Sequence, residues 1–108
     1  MTRVLIVLTA SDVIRLDDGT EHPTGFWAEE FVTAHRGLTA AGFDVAIATP
    51  GGRPAPADPA SITAEGVGDA AKAADYAGYL DEIADAVAHP AAIEDVEIAA
   101  LTPDRLTA

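Results

Sequence analysis

No cysteine occurs among the 108 residues, so a disulfide, a thiolate metal site and a cysteine nucleophile are all excluded from within this chain. There is no run of 18 apolar residues, and hence no segment that reads as a membrane-crossing helix. Basic residues are scarce: six Lys and Arg stand against 18 Asp and Glu, a formal charge of -12 that repels phosphate backbones and anionic lipid head groups. Neither nucleic acid nor a membrane surface is therefore an expected partner. The three histidines, His22, His35 and His89, are too far apart in sequence for an H-x-x-x-H pair, so no metal site is expected. The aliphatic run Val4 to Leu8 is too short for a signal-peptide core and lacks a small-residue cleavage site, and the expected location is the cytoplasm.

What is present fits one small globular domain, with 49% hydrophobic residues. Arg3 to Thr9 is a continuous aliphatic stretch with β-branched residues, the pattern of a strand buried on both faces of a parallel sheet. Ala10 to Pro23 is polar and reads as a loop at the carboxyl end of that strand, the edge at which open α/β sheets bind ligands. A helix is expected from about Gly25 to Ala41, with Thr24 as N-cap and Gly42 as its stop. Trp27, Phe31, Ala34, Leu38 and Ala41 share the helical period and form the expected buried stripe. At about 100° per residue, Glu30 lies about 60° from Trp27 and Glu29 about 160°. Glu29 then points to solvent, Glu30 sits at the margin of the buried face, and His35 flanks that face as a packing residue.

Phe43 to Thr49 reads as a second strand, and a right-handed strand-helix-strand unit with a parallel pair is the natural topology. Pro50 to Ala60 holds too many prolines and glycines for a regular element and is a surface loop, with Asp58-Pro59 as a turn within it. A second helix is expected from about Gly68 to His89, halted by Pro90, burying Ala70, Ala73, Ala74, Ala77, Leu80, Ile83, Ala84 and Val87. Its acidic residues form a solvated face. Ile93 to Leu101 is a short strand or a connector, and Thr102 to Arg105 resembles a turn entering a helix. Two strands and two helices leave sheet edges uncovered, so a further segment, a second chain or dimerisation is expected to complete the core.

The run Val4 to Thr9, the helix start Thr24-Gly25-Phe26-Trp27-Ala28-Glu29-Glu30, the stretch Ala41-Gly42-Phe43-Asp44-Val45 and the loop from Thr49-Pro50-Gly51-Gly52 to Asp58-Pro59 together resemble the ThiJ/PfpI superfamily, in its glyoxalase III and chaperone-type branch. The resemblance implies a flavodoxin-like α/β fold, a three-layer parallel-sheet sandwich of which this chain matches the N-terminal half. It further implies cofactor-free conversion of 2-oxoaldehydes to 2-hydroxy acids by a cysteine on a nucleophile elbow, a neighbouring histidine and a glutamate that maps onto Glu30. The cysteine and histidine have no counterpart here, so the partner implied is a second polypeptide, or a missing segment, carrying that half. The substrate implied is a small electrophile. Trp27, Gly25 and His22 are the expected pocket residues beside Glu30. From a different class, a non-catalytic, homo-oligomeric binding or chaperone-like module would use the same uncovered apolar surface. A nucleotide-binding half-domain is disfavoured, because Gly51-Gly52 does not match G-x-G-x-x-G.

Overall fold

In the computed structural model, which describes residues 2–96, the first strand is where its aliphatic pattern places it. β1 (Arg3–Val7) pairs in parallel with β4 (Asp44–Thr49), Val4 opposite Val45 and Ile6 opposite Ile47. The connection between them contains α1 (Ala28–Ala40), so the expected strand-helix-strand unit is present. A two-residue strand, β5 (Ala91–Ala92), adds in parallel beyond β4 and completes a three-stranded sheet in the order β1-β4-β5. The chain is thus mixed α/β with helices packed on a parallel sheet.

The polar segment after β1 is not an open loop. It forms a hairpin of β2 (Val13–Arg15) and β3 (Glu21–Pro23), antiparallel, with Gly19 at φ 85° in the turn. The β-branched pair Val13-Ile14 supplies the strand signal, and two carbonyls of the turn are satisfied locally by Gly19 and Leu16 amides. Its side chains remain exposed.

α1 begins later than expected. Phe26 N–H donates to the Pro56 carbonyl and Asp58 N–H donates to the Phe26 carbonyl, at 2.8 Å each, which holds Gly25 to Trp27 extended against the Pro-rich loop. Trp27 is therefore the N-cap residue, without a side-chain cap, while Thr24 turns its hydroxyl toward Asp58. At the other end Ala41 caps the helix and Gly42, at φ 91°, leaves it as expected.

The buried stripe is also rotated. Ala28, Phe31 and Val32 are buried and His35 and Leu38 half-buried, whereas Trp27, Ala34 and Ala41 are exposed. The face is turned by roughly 80° from the expected one. The cause lies in what the helix meets: Phe31 packs edge-on against Phe26, and His35 reaches Tyr79 of α3 (Ala70–Glu82).

The second helix is shorter than expected and broken. α2 (Ala64–Val67) precedes it, capped by Thr63 and closed by Gly68 at φ 83°. α3 is capped by Asp69, whose carboxylate accepts from Lys72 N–H, and Ile83 departs from helical geometry before α4 (Ala84–Ala88). Tyr76 and Ala73 are buried on α3, and Tyr79 and Leu80 are half-buried, while Ala70, Ala74 and Ala84 are exposed. The two tyrosines bury far more area than alanines and so set the helix rotation. The Asp58-Pro59 turn is present: Asp58 accepts from Ala60 N–H through its carboxylate and from Ser61 N–H through its carbonyl. Ile93–Asp95 is a single 3-10 turn, and the expectations for residues 97–101 and for Thr102 to Arg105 fall outside the described residues.

One core joins Leu8, Phe26, Ala28, Phe31, Val32, Ile47, Ala55 and Tyr76. Among the described residues β1 pairs along only one edge, and Val7, on the opposite sheet face from Ile6 and Leu8, is 52% exposed.

Candidate functional site

The first turn of α1 carries the expected catalytic carboxylate. Trp27 stands at the N-cap, Glu29 and Glu30 follow in the first turn, and these three with Thr33 and Ala34 line an open concavity of about 620 Å³. Its position follows from the extended Gly25 to Trp27 segment, which delivers Trp27 to the rim, and from the rotated helix face, which turns Glu30 outward.

Glu30 is exposed rather than set at the margin of the core. With the buried face centred near His35, both glutamates lie about 120° to 140° from its centre, one on either side. The asymmetry expected between them is thus absent. What the arrangement offers is an ionisable oxygen beside a large apolar ring, 36% exposed, on a surface with room for a ligand.

The other expected pocket residues separate from this centre. Gly25 does not line the concavity. A Cβ added there would lie 2.2 Å from the Pro56 carbonyl oxygen, so its role is to let the chain pass close to the Pro-rich loop. His22 lies on β3 opposite Ile14, exposed, and is not part of the concavity. No cluster of three metal-ligating side chains exists among the described residues.

Behind the site, α1 is clamped to α3. Arg36 donates two hydrogen bonds to the Asp75 carboxylate, at 2.9 and 3.1 Å, and its guanidinium lies 4.6 Å from the centre of the Tyr79 ring. The hydrogen bonds from Arg36 hold the Asp75 carboxyl below its ordinary range and Arg36 above its own. His35 Nδ1 and the Tyr79 hydroxyl are hydrogen-bonded at 2.6 Å; burial lowers the His35 pKa and raises that of Tyr79, so both favour their neutral forms. His35 is thus a packing residue, as its helical position suggested. Sequence reasoning missed its partner, since the signal, aromatic residues spaced three apart at Tyr76 and Tyr79, was masked by the surrounding alanines.

A second concave region lies at the carboxyl edge of β1 and β4, where Thr9 to Asp12 face Pro50 to Arg53. The sequence pointed to this edge without naming its residues. The chain matches no family model and no curated protein.

Proposed function

We propose that this chain is the N-terminal half of a ThiJ/PfpI-like, flavodoxin-like enzyme. In this reading Glu30 is the proton-shuttling carboxylate, and the cysteine and histidine come from a further segment or a second polypeptide. The observation that carries this reading is the joint exposure of Trp27 and Glu30 around one concavity, in a chain whose T-G-x-x-x-x-E helix start resembles that superfamily. The edge of β1 that is unpaired among the described residues adds support, because a parallel sheet is stable when covered and extended on both sides.

The reaction is cofactor-free conversion of a 2-oxoaldehyde to a 2-hydroxy acid, an internal oxidation and reduction with net addition of water. A thiolate from the completing half adds to the aldehyde carbon to give a hemithioacetal. Glu30 takes the proton from that carbon and returns one to the neighbouring carbon to leave a 2-hydroxy thioester, and water then cleaves the C–S bond, releasing the 2-hydroxy acid and the thiol. An exposed carboxylate is a poor proton shuttle in bulk water, so the completing half supplies a second wall over the concavity as well as the nucleophile. Trp27 forms the apolar side of the pocket.

The test is co-expression with a cysteine-bearing C-terminal half and an assay with methylglyoxal. Turnover by the pair and by neither part alone is the expected result, and a stable complex that turns over no 2-oxoaldehyde refutes the enzyme reading. A second reading, a non-catalytic homo-oligomeric module, is favoured by Ile14 and Leu16, which are 50% and 45% exposed on the hairpin. Size-exclusion chromatography separates the two: a folded homo-oligomer of this chain alone supports the module.

A further inference from the structure

The crevice at the carboxyl edge of the sheet carries a charge pattern that the Glu30 reading does not use. Two adjoining cavities, of about 590 and 360 Å³, share Ala10, Asp12 and Arg53 in their walls. Arg53 and Asp12 therefore face one crevice, yet neither takes part in an ion pair among the described residues. In a chain of net charge -12 an arginine without an acidic partner stands out, since Arg3, Arg15 and Arg36 are each paired.

Both walls are fixed by their own hydrogen bonds. On the Asp12 side, Ser11 N–H donates to Thr9 Oγ1 at 3.0 Å, Ser11 Oγ donates to the Val13 carbonyl at 2.8 Å, and Thr24 N–H donates to the Asp12 carbonyl at 2.9 Å. On the other side, Gly51, at φ 68°, donates its N–H to both carboxylate oxygens of Glu94, at 2.9 and 3.0 Å. That bond engages Glu94 with the loop, and Arg53 has no ion-pair partner among the described residues. Thr49 Oγ1 donates to the Arg53 carbonyl, which pins the Arg53 backbone.

We propose that this crevice binds a small zwitterion of the α-amino-acid type, its carboxylate on the Arg53 guanidinium and its ammonium on the Asp12 carboxylate. A cation and an anion on walls of one cavity, held by ordered backbone and not in ion-pair contact with each other, match a ligand bearing both charges better than a simple anion, which Asp12 and Glu94 would repel, or a simple cation, which Arg53 would repel. The location is the edge at which open α/β sheets take ligands.

The experiment is a titration of the full-length, ¹⁵N-labelled chain with L-alanine, followed through the backbone amides of Ser11, Asp12 and Arg53. Saturable shifts with Kd at or below about 10 mM are expected. N-acetyl-L-alanine, without the ammonium, and L-alanine amide, without the carboxylate, should each bind at least about tenfold more weakly, as should L-alanine to Arg53→Met and to Asp12→Asn, because each change removes one charge-assisted hydrogen bond. Both side chains are exposed, so the variants keep the fold, and Arg53→Gln and Asp12→Ser serve as second variants. The proposal is overturned by the absence of saturable shifts, by either analogue binding as well as L-alanine, or by unchanged binding in either variant. The outcome is independent of Glu30 and of any completing half.

Discussion

The His35 ring lies half-buried between Phe31 and Tyr79, and burial lowers its proton affinity below the ordinary 6.5. The unfolded chain therefore binds that proton more readily than the folded one. The contribution of neutral His35 to stability is complete above about pH 6.5 and is lost as pH falls through that value toward the lower folded one. Asp75, held down by Arg36, has its contribution present above the ordinary 3.8 and lost only below it, so the two windows are separate. Urea unfolding between about pH 8 and 5 should show a steeper loss of stability in the wild type than in His35→Gln. Equal slopes would contradict the buried, neutral state of the ring. Glu30, by contrast, is exposed and without a side-chain partner among the described residues, and Glu30→Gln should change stability by no more than about 0.5 kcal/mol, measured by the same method.

At the scale of elements, the rotation of α1 separates what the sequence showed from what it could not. The 3.6-residue period identified a helix ending at Gly42, and the aliphatic runs identified β1 and β4 with their parallel pairing. The phase of the helix is not legible in the sequence, because the period of Trp27 with Phe31, Ala34 and Leu38 makes it the first residue of the stripe, whereas the Phe26–Ala57 bridge holds it outside the helix. Long-range backbone pairing of this kind leaves no local pattern. The same holds for Tyr79, whose contact with His35 spans 44 positions, whereas the hairpin has a local signal in Val13-Ile14 that its three-residue strands make short. Two substitutions separate the expected face from the observed one. Phe31→Ala should cost about 3–5 kcal/mol, whereas Ala34→Gln, on the expected stripe but exposed, should stay within about 0.5 kcal/mol. Thermal unfolding of both variants checks this. Glycines give a parallel contrast: Gly25→Ala forces a Cβ to within 2.2 Å of the Pro56 oxygen and should disrupt the bridge, while Gly78→Ala meets nothing within 4 Å in α3 and should stabilise by about 0.5–1 kcal/mol.

For the whole molecule, the adjacency of Trp27 and Glu30 was legible in seven residues, but their exposure was not, since it depends on how α1 meets α3 and the Pro-rich loop. Among the described residues the concavity is open, the outer edge of β1 is unpaired and Val7 is exposed. A completing half that adds a strand at that edge would cover Val7 and bring a second wall toward Glu30. The measurement that tests this most directly is methylglyoxal turnover by the completed assembly, wild type against Glu30→Gln, with complex formation verified in both. Loss of about 100-fold or more in kcat with assembly intact is the predicted result, as befits a general acid-base group; a loss of less than about tenfold would contradict the role of Glu30 as the proton shuttle.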